Sequence, residues 1–226
     1  MSPRVTFLQH SELDVPGVLG RLARDAGCET QVCRADGGAP SLPAVGSIEV
    51  LVVLGSEASV TDASVPWIGP ERSLVAEAVA GGVPVLGVCF GGQLLAQVLG
   101  GEVARAPEAE IGWREVESLD PSRIPRGPWL EWHEDTFTAP PGSEALARTG
   151  ACLQAFVSGV HTGVQFHPEV TREIVGSWVD EAHARGRLRP DQARELMDGF
   201  DDAGRGPEGA TARLFDGFLR RAGYVR

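Results

Sequence analysis

Apolar residues along this chain fall into two kinds of pattern. Unbroken apolar blocks occupy residues 49–54 (Glu49-Val50-Leu51-Val52-Val53-Leu54) and 83–88 (Val83-Pro84-Val85-Leu86-Gly87-Val88). Continuous blocks of this length predict central parallel strands buried on both faces. Residues 4–10 and 30–33 read as two further strands, and residues 16–26, 71–80 and 93–99 have apolar positions at helical spacing. Pro16 stands near the start of the first helix and Gly27 after its end, as capping asymmetry favours. Residues 35–46, rich in Gly and Pro, read as loop. Strands alternating with helices predict an α/β fold, a mostly parallel, doubly wound sheet with helices on both faces.

After Gly100 the pattern changes. Residues 101–106, 112–118, 136–139, 152–157 and 160–166 are short strand-like runs, expected to extend the sheet with extra antiparallel strands. Residues 171–187, 190–200 and 210–222 are helical, the last two split by Asp201-Asp202-Ala203-Gly204-Arg205-Gly206-Pro207. The expected organisation is one domain over residues 1–187, with residues 188–226 forming a C-terminal helical tail packed on it. There is no internal repeat.

Composition narrows the functional classes. The chain has 226 residues, 42% hydrophobic and 23% charged, enough for one large core. Its net charge is -11, and all 20 basic residues are arginine. Such a surface is a poor general nucleic-acid binder, since phosphate contacts need clustered positive charge. No apolar run reaches the ~18–20 residues of a membrane helix, and Met1-Ser2-Pro3-Arg4 does not begin a signal peptide. A cytoplasmic location is the expectation. Cys28, Cys33, Cys89 and Cys152 form no Cys-x-x-Cys pair and no zinc-spaced cluster. Three of them read as small core residues.

Cys89 is the exception. Gly87-Val88-Cys89-Phe90-Gly91-Gly92-Gln93 places a thiol where a buried strand turns into a helix. Gly-x-Cys-x-Gly is the cysteine version of the strand–elbow–helix turn of Gly-x-Ser-x-Gly hydrolases. Helix N-terminal N–H groups and the helix dipole favour a thiolate there. Taken alone, the motif is also compatible with a buried, inert cysteine. Gly163-Val164-Gln165-Phe166-His167-Pro168-Glu169 then supplies what a thiol nucleophile needs. His167 can take its proton. Glu169, two residues on, shares a side with it in extended chain and can orient the imidazole. Pro168 keeps the segment out of helix.

On these residues the chain resembles the class I (triad-type) glutamine amidotransferases, most closely stand-alone domains similar to the amidotransferase part of GMP synthetase. The resemblance covers roughly residues 45–175. Its strongest parts are Cys89-Phe90-Gly91-Gly92-Gln93 and His167-Pro168-Glu169. Glu110-Ile111-Gly112-Trp113 and Trp132-His133-Glu134-Asp135-Thr136-Phe137 support it. The resemblance implies a flavodoxin-like class I glutamine amidotransferase fold. It also implies Cys89 as nucleophile, His167 as general base and acid, and Glu169 as orienting carboxylate. The oxyanion donors would be the N–H of Phe90 and that of Ser56 after Gly55. Gln93, Trp132 and His133 would bind substrate.

The chain departs from the family in two places. Gly55-Ser56-Glu57 stands where Gly-Gly-Pro is usual, and Glu134 where glycine is usual. Serine tolerates unusual backbone angles less well than glycine. This predicts an oxyanion hole completed only when a partner binds, and low activity alone. His133 is not expected to be a base, since the carboxylate partner of the proposed chemistry stands beside His167. His10, His161 and His183 read as surface or satisfied polar residues. Glu110 and Trp113 read as packing or solvent-facing.

The expected reaction is hydrolysis of the side-chain amide of L-glutamine through a cysteinyl thioester, without cofactor or metal. Ammonia would pass to a separate synthetase or other acceptor enzyme, because no Gly-x-x-x-x-Gly-Lys-Ser/Thr segment is present. Two alternatives stay open: hydrolysis of γ-glutamyl amides or peptides, and a catalytically degenerate regulatory subunit.

Overall fold

The computed structural model describes residues 3–37, 41–202 and 208–224. Five parallel strands form the centre: β1 (Arg4–Gln9), β2 (Glu29–Arg34), β3 (Val50–Val53), β4 (Val85–Val88) and, late in the chain, β10 (His161–Val164). Three antiparallel strands complete the sheet: β6 (Glu117–Ser118), β8 (Glu144–Arg148) and β9 (Leu153–Ser158). The order is β2-β1-β3-β4-β10-β9-β8-β6.

The period-two alternation of strand side chains divides the core into two layers. Val5, Phe7, Val50 and Val52 pack on one face, together with Leu19 of helix α1 (Gly17–Asp25) and with Phe215 and Phe218 of helix α6 (Glu208–Arg221). Leu8, Leu51 and Val53 face the other way. They meet Leu74 and Val75 of α2 (Ile68–Ala80) and Leu94 and Leu95 of α3 (Phe90–Val98). The sheet is therefore doubly wound, with helices on both faces.

The last two helices belong to this packing. Phe215 and Phe218 are fully buried, each worth about 1.5–3 kcal/mol relative to exposure. Thr211 Oγ1 donates to the carbonyl of Pro168 at 2.9 Å, and Arg221 to Thr162 Oγ1 at 2.7 Å. Helix α5 (Pro190–Asp202) packs through Leu196 and Phe200 beside α4 (Arg172–Ala184). The linker expected over residues 201–207 is described only for the backbone of Asp201 and Asp202, the last residues of α5; its remainder lies outside the described residues.

Two expectations need correction. The runs at 101–106 and 112–118 are one long strand, β5 (Val103–Arg114), with a register shift between Arg105 and Glu110, followed by the short β6. Its partner, β7 (Trp129–Phe137), begins well before the expected 136–139. These two strands do not extend the main sheet. They form a separate antiparallel ribbon against α5, where Trp113 donates to the carbonyl of Leu196 at 2.8 Å and packs on Phe200. Strand β8 was not expected at all. Its residues, Glu144-Ala145-Leu146-Ala147-Arg148, carry little β-branched or aromatic signal.

Candidate active site

Cys89 stands at the turn from β4 into α3, and it is the only non-glycine residue with positive φ among those described (φ 50°, ψ −108°). A side chain held there costs of order 1–3 kcal/mol, and such strain clusters at functional sites. The turn needs glycines because backbone meets backbone. A Cβ on Gly91 would lie 2.1 Å from the carbonyl oxygen of Val53, and one on Gly87 would lie 2.3 Å from that of Gly91. The thiol consequently sits at the N-terminus of α3, with Phe90 immediately after it.

His167 follows β10, whose neighbour in the sheet is β4, so adjacent strands deliver the thiol and the imidazole to one end of the sheet. His167 Nδ1 lies 2.7 Å from Glu169 Oε1, both residues being buried. The backbone N–H of His167 donates to Leu130 at 2.9 Å, which ties the base to β7. Burial lowers the affinity of His167 for a proton. The charges of Glu169 and Cys89, with hydrogen bonds to both, outweigh it and raise the pKa well above 6.5. This arrangement can hold an imidazolium against sulfur on one side and carboxylate on the other.

Gly55 is packed against this pair. A Cβ there would come within 3.0 Å of His167 Cε1 and 3.7 Å of Cys89 Cβ. Ser56 and Glu57 line the same cleft, and Glu57 is drawn to Arg185 and Arg187 at 3.0 and 3.1 Å. Its carboxylate is thereby held toward the rim. Gln93, one turn into α3, is buried; its amide donates to the carbonyl of Asp135 at 3.0 Å and to Gln165 at 3.3 Å. Gln165 in turn points its amide at Cys89 Sγ (3.6 Å), and the thiol faces the carbonyl of Trp132 at 3.9 Å. The cleft holds about 670 Å³. Besides these residues, its lining includes the loop after β1, from His10 to Asp14, and Trp178. Sequence reasoning missed that loop, which carries no motif.

His133 differs from expectation. Strand pairing opposes it to Glu110, and Glu131 lies two residues away on the same face of β7. His133 Nε2 is 3.4 Å from Glu110 and 3.3 Å from Glu131, while Nδ1 donates to the carbonyl of Asp135 at 3.0 Å. Burial would lower its pKa; the neighbouring Cys152, Glu110 and Glu131 outweigh this and push it up to about 12. Glu110, read from the sequence as packing or solvent-facing, is a buried member of this cluster. Glu110, His133 and Cys152 are also the one group among the described residues whose ligand atoms could share a metal ion. However, Glu110 Oε2 already accepts from Thr149, Cys152 and Gln154. A carboxylate oxygen so occupied and a charged imidazole favour a buried ion cluster over a metal site. His10, expected at the surface or satisfied, is buried between Gly55 and Glu71.

Residues 17–177 match the family model described as glutamine amidotransferase class-I. A GMP synthase (glutamine-hydrolysing) of Aeropyrum pernix is 35% identical over 218 residues, covering 82% of this chain. This chain spans only 40% of that protein's length. A glutamine amido transferase structure from Methylobacillus flagellatus superposes with TM-score 0.84 at 28% identity, over 98% of this chain and 95% of that one. A Thermotoga maritima glutamine amidotransferase structure gives the same TM-score at 24% identity, a likeness of fold.

Proposed function

This chain belongs to the class I glutamine amidotransferase family, and from that premise we propose that it is a cysteine-dependent amidase. Its substrate is L-glutamine, whose side-chain amide it hydrolyses, and it supplies the ammonia to a separate acceptor enzyme. The observation that carries the reading is the strained Cys89 elbow facing a buried His167–Glu169 pair at 2.7 Å.

The chemistry follows from those positions. Cys89 sulfur attacks the amide carbon, and the carbonyl oxygen gathers negative charge. The N–H groups of Phe90 and Ser56 are the proposed donors to that oxyanion. As the C–N bond breaks, His167 passes its proton to the leaving nitrogen, releasing ammonia and a glutamyl thioester. His167 next takes a proton from water, whose oxygen attacks the thioester. The C–S bond breaks, glutamate leaves and Cys89 is regenerated. Glu169 fixes the ring and stabilises its charged form. Gln93, the backbone of Trp132 and the His133 segment of β7 form the wall that receives the substrate.

A second reading has one observation in its favour. A cleft of about 670 Å³ falls in the range that holds drug-sized ligands, so a γ-glutamyl amide with a larger amine fits as well. Ammonia or amine release from glutamine and from a panel of γ-glutamyl amides distinguishes the two, with Cys89→Ala as control. Glutamine is expected to give the highest kcat/KM, and Cys89→Ala to abolish turnover without unfolding the chain. Preference for a bulky amide selects the second reading, and turnover by Cys89→Ala removes both.

A further inference from the structure

We propose that His10, braced by Glu71, is a positioning residue that turns the Gly55–Ser56 peptide so that the Ser56 N–H faces Cys89, giving this chain an oxyanion hole formed without a partner. The proposal rests on the reading of Cys89 as nucleophile. His10 is buried and its Nδ1 lies 2.7 Å from the carbonyl oxygen of Gly55. A carbonyl can only accept, so Nδ1 carries a proton and donates it. On the other side of the ring, Nε2 faces both carboxylate oxygens of Glu71 at 3.0 and 3.1 Å. Glu71 is itself fully buried in the first turn of α2. Trp67 stacks on the imidazole at 5.0 Å between ring centres, and the Phe90 ring meets it edge-on at 4.9 Å. The ring has no room to turn away.

The consequence comes from peptide geometry. In a planar trans peptide the C=O of Gly55 and the N–H of Ser56 point in opposite directions. The carbonyl is anchored inward, on the imidazole. The N–H is therefore turned away from the imidazole, and Ser56 lines the cleft together with Cys89. Gly55 lies close enough to matter, since a Cβ on it would sit 3.7 Å from Cys89 Cβ. A flipped peptide would aim the carbonyl oxygen at the developing oxyanion. It would also leave the buried His10 donor without an acceptor, a cost that opposes the flip. Burial lowers the His10 pKa, but the charge of Glu71 and the hydrogen bonds to Glu71 and Gly55 raise it overall. A ring nitrogen that donates to the Gly55 carbonyl polarises the peptide it holds and strengthens the N–H on the far side as a donor. The departure at Ser56 thus comes with an internal brace, where the sequence alone favoured completion by a second protein.

The test uses the full chain alone: kcat and KM for glutamine, labelling of Cys89 by an electrophilic glutamine analogue, and alkylation of Cys89 by iodoacetamide, which needs no oxyanion hole. The wild-type chain is expected to turn over without any acceptor enzyme. His10→Ala is expected to lower kcat by about 10²–10³, the usual loss for one oxyanion donor, with KM and the alkylation rate near wild type. His10→Asn, which can still present an N–H to Gly55, is expected to recover part of that loss, and Glu71→Gln to fall between. A wild-type chain that labels at Cys89 but does not turn over contradicts the preset hole. So does a His10→Ala chain with unchanged kcat, or one whose kcat, KM and alkylation rate all collapse together. Failure to label Cys89 at all removes the underlying reading instead.

Discussion

Two buried histidine clusters adjoin β7, and they differ in what the second ring nitrogen meets. At His167, one nitrogen is held by Glu169 and the ring's other side faces Cys89 sulfur. At His133, Nδ1 is committed to the carbonyl of Asp135 and Nε2 stands between Glu110 and Glu131. Both imidazoles are expected to carry charge. Only the first can exchange its proton with a group that reacts. A carboxylate partner is thus insufficient to make a histidine a base, because one nitrogen must remain open to chemistry. The second cluster instead fixes the strand whose Trp132 carbonyl faces the thiol.

Substitutions separate the two clusters. His167→Asn is expected to produce the larger effect on rate, a loss of about 10²–10⁴ in kcat, since the ring serves both half-reactions. Glu169→Gln is expected to cost less, because an amide can still hold the ring. A Glu169→Gln loss exceeding that of His167→Asn in steady-state assays would invert the assigned roles. His133→Gln is expected to act on stability instead. Removing one partner of a buried charge cluster typically costs about 3–5 kcal/mol, measurable by urea unfolding. The kcat per folded molecule should change far less than for His167→Asn; a comparable loss would make His133 part of the chemistry.

The last effect is on pH dependence. The His133 pKa is pushed up to about 12 in the folded chain, against about 6.5 when unfolded. A raised pKa contributes stability that is full below pH 6.5 and is lost as the pH climbs toward the folded value. Unfolding free energy should therefore fall between pH 7 and 10, by up to about 1.4 kcal/mol per pH unit for this group. His133→Gln should lessen that slope, although His10 and His167 shift in the same direction. An identical slope in both proteins would contradict the charged state assigned to His133.

The chemistry was more legible in the sequence than the wall around it, for local reasons. The elbow and the His-Pro-Glu segment each lie within a few consecutive residues, so each is visible in sequence, while their meeting comes from the adjacency of β4 and β10. The central strands are equally local, since buried parallel strands are written as apolar blocks. Strand β7 was mostly unreadable, because Glu131 and His133 occupy its buried face and break the apolar alternation. The His133 cluster assembles only through cross-strand pairing with Glu110. His10 takes its meaning from Gly55 and Glu71, 45 and 61 residues away. Neither contact has a sequence signature.

The most direct test of the central claim is peptide mapping after reaction with an electrophilic glutamine analogue. One adduct per chain is expected, on Cys89, prevented by excess glutamine and absent in Cys89→Ala. Modification of Cys28, Cys33 or Cys152 in its place, or no glutamine-protected adduct at all, would contradict it.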